Sequence, residues 1–170
     1  MKMNDAAVQS LGVLTGLGIT PPPGGLAPRL RQRASGGIVR RGEVLVWADS
    51  AGSMVGASDF DLTGWECNDS SFHVEDFVPV DVAIVDAAPV ISEDDQRVLL
   101  LHGLAFALEL SRAVYALEPP SRVRCILAAN QTNATFRFHT IRAGESWNRP
   151  DLDGYRDEKV IVLDIEPAET

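Results

Sequence analysis

The longest apolar pattern in the chain runs from Ser92 to Leu117, SEDDQRVLLLHGLAFALELSRAVYAL. Its spacing predicts one long helix. Ser92 is a good N-cap residue, with Asp95 three positions on in a capping-box-like arrangement. Glu93, Asp94 and Asp95 place negative charge at the positive end of the helix dipole. Pro119 and Pro120 forbid continuation. Apolar residues from Val98 to Leu117 cover more than one face, as expected of a buried helix. A membrane needs about 20 consecutive apolar residues, and Gln96, Arg97, Glu109, Ser111 and Arg112 leave this run short.

Elsewhere the pattern is shorter-ranged. Val8, Leu11 and Leu14 share a face in a helix expected over Asp5 to Thr15, capped by Asn4 or Asp5. Pro21-Pro22-Pro23-Gly24-Gly25 is a stiff break. A second short helix is expected over Leu26 to Arg33, with Pro28 in its first turn and Gly36-Gly37 after it. Val44 to Ala48 has strand character, with Ser53 to Ser58 as its expected hairpin partner. Leu62 to Cys67 and Phe72 to Val80 read as further strands, and Val80 to Val85 as a buried one. Arg122 to Ala129 and Thr135 to Ile141 form a hairpin pattern through Asn130-Gln131-Thr132-Asn133. There Phe136 and Phe138 alternate with Arg137 and His139. Ala143 to Arg156 is polar loop. Lys159 to Ile165 is apolar on both faces, which suits a central strand.

This order implies an α+β fold, with a mainly antiparallel sheet packed on one long buried helix and short N-terminal helices. A chain of 170 residues is long enough for one real core. The expected organisation is a single domain, 1–170, in which 1–37 is a helical segment with the Pro/Gly linker and 38–170 carries the sheet and long helix.

Charge changes the picture. The net charge is −9, and five arginines (Arg29, Arg31, Arg33, Arg40 and Arg41) sit in one acid-free stretch. Outside that stretch, 24 acidic residues face the remaining 10 basic ones. Such a field repels nucleic acid and anionic lipid and favours basic protein partners. The basic stretch lacks the interleaved aromatics of a nucleic-acid site. The N-terminus shows no signal-peptide pattern, and two cysteines make no disulfide framework. The expectation is a cytoplasmic protein without cofactor or metal, meeting neither nucleic acid nor membrane.

Candidate chemistry is sparse. Asp59-Phe60-Asp61-Leu62-Thr63 fits the Asp-x-Asp-x-Thr signature of haloacid-dehalogenase-type phosphatases. The stretch before it, Val55-Gly56-Ala57-Ser58, is weak as the buried strand this motif should end, and only Lys2 and Lys159 could hold a phosphoryl group. Cys67, His73, His102, Cys125 and His139 lack metal-ligand spacing. His73 and Glu75 share a strand face and, with His139, could do acid–base work in a small enzyme or ligand-binding domain. A non-catalytic subunit of a complex is a further alternative.

Two acidic aromatic stretches remain. Asp59, Asp61, Glu66 and Asp69 surround Gly64-Trp65, and the segment reads as a loop with an aromatic tip. The second stretch holds Trp147, Asp151, Asp153, Tyr155, Asp157 and Glu158. Tryptophan and tyrosine dominate binding hot spots. The candidate partner-binding residues are therefore Asp59, Asp61, Gly64, Trp65, Glu66, Asp69, Trp147, Asp153 and Tyr155.

The C-terminal stretch FRFHTIRAGESWNRPDLDGYRDEKVIVLDIEP, with the acidity and the lack of catalytic motifs, resembles the immunity proteins of actinobacterial polymorphic toxins. That group includes immunity factors of mycobacterial NAD-glycohydrolase toxins. The resemblance implies an antitoxin that binds a cognate secreted toxin, whose active-site cleft would be basic, and blocks it with an acidic loop.

Overall fold

A computed structural model describes residues 1–12, 21–50 and 61–167. It has the α+β architecture read from the pattern. A five-stranded antiparallel sheet runs in the order β1-β9-β7-β8-β4, from β1 (Lys2–Met3), β4 (Phe72–His73), β7 (Val123–Ala129), β8 (Ala134–Thr140) and β9 (Lys159–Ile165). The helices are α1 (Asp5–Leu11), α2 (Pro28–Gly36), α3 (Leu62–Ser70) and α4 (Glu93–Tyr115).

Helix α4 is the long helix of the pattern. The Ser92 hydroxyl accepts from the Asp95 amide at 3.1 Å and so caps the first turn. Leu99, Leu100, Phe106, Leu110 and Val114 are all buried at its sheet-facing side. By length and composition the helix could cross a membrane, yet more than half of that stretch is buried inside the fold. Gly103 marks a close approach to the sheet, since a Cβ there would lie 2.0 Å from Leu127 Cδ2. On the sheet, alternation sends Cys125, Leu127, Phe136, Phe138 and Ile161 into this core. Phe106 meets Phe136 edge-on at 4.8 Å between ring centres, a favoured aromatic geometry.

The N-terminal elements close the same core. Asn4, 1% exposed, caps α1 by accepting from Ala7 N, and the same oxygen accepts from Val160 N on β9. Helix α1 stops at Gly12, whose φ of 67° suits glycine; the expected extension to Thr15 lies outside the described residues. Helix α2 begins at Pro28, buries Leu30 and Ala34, and ends at Gly37.

Several expectations are corrected. Val44 to Trp47 is a strand (β3), but its described partner is β2 (Ile38–Arg41), joined through Gly42-Glu43; the expected partner, Ser53 to Ser58, lies outside the described residues. Leu62 to Cys67 is not a strand but the body of α3. Asp61 supplies the reason: its carboxylate accepts from Gly64 N at 2.7 Å and caps a helix. In the segment from Phe72 to Val80, only Phe72–His73 pairs as strand, and a single 3-10 turn follows over Val74–Asp76. Val82–Val85 is a strand (β5) but exposed throughout, paired only with β6 (Ala88–Ile91) among the described residues. Strand β9 lies next to the centre, which β7 holds. It is apolar on both faces because the chain between β8 and β9 folds back over it, seating Leu152 against Ile126, Val160 and Val162.

Candidate functional site

The first acidic stretch is a structural seam. Helix α3 lies along the edge of β8 beyond the short β4, and its side chains take the place of a neighbouring strand. Ser70 Oγ donates to the Phe138 carbonyl at 2.9 Å and accepts from its amide at 2.8 Å. Glu66, fully buried, accepts from Thr140 N at 2.8 Å, Thr140 Oγ1 at 2.9 Å and Leu45 N at 2.7 Å. The Arg142 guanidinium reaches both its oxygens, at 2.7 and 3.1 Å. This carboxylate joins α3, β3 and β8, and all its lone pairs are engaged. Gly64 is buried, and a Cβ there would lie 2.2 Å from Oδ2 of the capping Asp61 carboxylate. The expected aromatic tip is therefore a packed helix in which Gly64 and Glu66 are inaccessible and Trp65 is half-buried. Asp69 is half-buried too, its carboxyl pushed up by burial and partly offset by Arg41. Asp59 lies outside the described residues.

The second acidic stretch crosses the sheet face opposite α4. Along β8 that face receives Thr135, Arg137 and His139; along β7, Arg124, Ile126 and Ala128; along β9, Val160, Val162 and Asp164. Trp147, 40% exposed, packs beneath the Arg137 guanidinium, 5.3 Å from its ring centre. Tyr155 Oη accepts from Arg149 N at 3.0 Å, and the Arg149 guanidinium covers its ring. Asp153 is engaged locally, accepting from Asp5 N at 2.7 Å. Between this loop and the sheet runs a half-open groove of about 470 Å³, floored by Ile126, Ala128 and Val160 and walled by Trp147 and Tyr155. The structure thus brings Trp147 and Tyr155 to one site and leaves the α3 residues outside it.

The suggested acid–base group does not assemble. His73 Nδ1 lies 3.1 Å from Glu75 Oε1, and His73 borders the groove. His139, four positions along β8 from the strand partner of His73, is 1% exposed. Its Nδ1 donates to the Thr140 carbonyl at 2.8 Å, Nε2 is buried without a partner, and burial holds its pKa below the usual imidazole value. Burial also pushes the Cys67 thiol up to about 12 and the Cys125 thiol up as well, so neither is a ready nucleophile. Among the described residues no three of His, Cys, Asp and Glu gather as a metal site.

The sequence reading missed the ribbon of β5 and β6. It turns at Asp86 and Ala87, both with positive φ, as a two-residue hairpin requires. Val82, Ile84 and Val85 are 42, 69 and 52% exposed. Pairing sets Val82 and Ile84 beside Ile91 and Pro89, and Ala83 and Val85 beside Val90 and Ala88, so both faces are apolar. Ile91 anchors the base, buried in the core and donating its N–H to the Gln131 carbonyl at 2.7 Å. The available signal was an apolar run without alternation on either side of Asp86-Ala87.

A five-stranded antiparallel sheet backed by one buried helix defines an α+β domain, here with a groove on its open face and a projecting ribbon. The chain belongs to the Uncharacterized protein PM0498 family, which it matches over residues 50–170. That span holds α3, α4, the ribbon and every residue lining the groove. No curated protein and no solved structure matches the chain.

Proposed function

We propose that this chain is a cytoplasmic, non-catalytic inhibitor of another protein: an immunity protein whose β5–β6 ribbon enters the cleft of a cognate toxin. The observation that carries this reading is the ribbon. Isolated two-stranded hairpins are at best marginally stable in water, and contiguous exposed apolar surface marks interaction sites. A flat partner would cover only one face of such a ribbon, whereas a cleft covers both. Ala87 at its tip has a backbone conformation unfavourable for any residue with a Cβ, and strain of this kind concentrates at functional positions. Asp81 and Asp86 flank β5, and the chain carries a net charge of −9. A basic cleft complements both, and the long-range field would speed association with it. Plugging a cleft needs none of the side-chain machinery of turnover. A toxin that hydrolyses NAD is the first partner to try, because a cleft that binds its phosphates would be cationic.

The test is protection of cells expressing the toxin encoded beside this gene. The intact chain should restore growth. A variant with Val82, Ile84 and Val85 all changed to Thr should lose protection while remaining folded, its unfolding free energy within about 0.5 kcal/mol per site of the parent. No protection by the intact chain, or full protection by the ribbon variant, refutes the proposal.

A further inference from the structure

In a chain so rich in carboxylates, Arg137 forms no ion pair with one among the described residues. Its polar contact is Thr135 Oγ1 at 3.4 Å, and its guanidinium is held over Trp147 at the groove wall. The other arginine on the same strand face is satisfied: Arg124 is paired with Asp164 at 2.6 Å. An unpaired guanidinium set in a concave, aromatic-walled site is the ordinary arrangement for receiving a carboxylate. Thr135 and Asn133 also line the groove along the β8 side. Across the groove, Glu158 holds a position by accepting from Asn130 at 3.3 Å. The site thus has a cationic end, an anionic end and an apolar floor between them.

From this we infer that the groove binds a short extended peptide with a free C-terminus. The terminal carboxylate meets Arg137, the last side chains lie on Ile126, Ala128 and Val160 between Trp147 and Tyr155, and the amino end points to Glu158. The length is set by the sheet. Arg137 and Glu158 stand two strands apart and about four residues apart along the strands, roughly 16 Å between backbones. With both side chains leaning inward, three or four extended residues at about 3.3 Å each span the gap. Capture of a C-terminal carboxylate is an established mode of peptide recognition. The inference is independent of the ribbon.

The experiment is calorimetric titration of the intact chain with the tripeptide Ala-Ala-Leu and with its C-terminal amide. The acid form should bind at least about tenfold more tightly, the loss expected when a charge-assisted contact is removed. Arg137→Gln should abolish the difference between acid and amide without changing the circular dichroism spectrum. N-acetylation of the peptide should weaken binding by a smaller factor. The inference is overturned by absent binding at about 10 mM peptide, by equal affinity for acid and amide, or by a difference that survives in Arg137→Gln.

Discussion

The α3 seam and the β5–β6 ribbon reverse the usual distribution of residues. At the seam a carboxylate, Glu66, is fully buried; at the ribbon, valine and isoleucine stand in water. The difference separates a polar group satisfied inside the fold from apolar groups left exposed. Burying a charge is tolerated when every lone pair is met, and Glu66 has five protein contacts to meet them. Exposed aliphatics gain nothing from burial among the described residues, and on the function proposed above a partner covers them.

The sharpest way to break this comparison is Glu66→Ala. If Glu66 served a partner, its loss would weaken binding and leave stability intact. Its position predicts the reverse. Removal strands the Arg142 charge and the Leu45 and Thr140 amides, a loss of about 3–5 kcal/mol. Urea unfolding should show a much lower midpoint with an unchanged slope. Glu66→Gln keeps an acceptor oxygen and should lose less. A variant as stable as the parent would return Glu66 to the surface reading.

The same contrast explains what was legible in the sequence. Helix α4 and the β7–β8 hairpin were readable because local signals and global packing agree: a cap, a proline stop, and alternation with one face in the core. The stretch from Leu62 to Cys67 was misread as strand because its decisive feature is a side chain, Asp61, closing on Gly64 N. The same carboxylate that suggested a catalytic motif is a helix cap. Glu66 was unreadable as a buried hub because its partners, Leu45, Thr140 and Arg142, are far away in sequence. Trp147 and Tyr155, which wall the groove, were singled out by residue type alone. The ribbon was missed because an apolar strand normally signals burial, whereas Val82, Ile84 and Val85 are exposed.

A second test weighs buried neutral groups against the buried charge. His102 is 8% exposed and accepts from Ala27 N at 3.3 Å; burial lowers its pKa, as it does that of His139. Both folded values lie below the unfolded value of about 6.5. The unfolded chain therefore takes up protons first as the solution is acidified. The stability these neutral rings contribute is complete above pH 6.5 and declines as pH falls below it, until the folded-state values are reached. Urea midpoints should drop between pH 7.5 and 5.5, and His102→Gln should flatten the drop. An increase in stability over that interval would mean that these histidines are charged in the fold.

The smallest expected effect comes from a pair that shares the chemistry of the seam but not its burial. Arg124 and Asp164 face each other across β7 and β9, with Nε to Oδ1 at 2.6 Å and Nη2 to Oδ2 at 2.8 Å. The Arg124 hydrogen bond holds the Asp164 carboxyl below its usual value, against a smaller opposing effect of burial. The pair is partly open to water, with 18 and 30% of its side chains exposed. Screening therefore limits its worth, and Asp164→Asn should cost only about 0.5–1 kcal/mol at neutral pH. Because the folded pKa is depressed, the contribution is present above the unfolded carboxylate value of about 3.9 and disappears as pH falls through the folded value. Parent and variant should therefore converge in acid, and the gap at neutral pH should narrow in about 1 M salt. A loss as large as that of Glu66→Ala would show that bidentate geometry, and not burial, governs the strength of ion pairs in this fold.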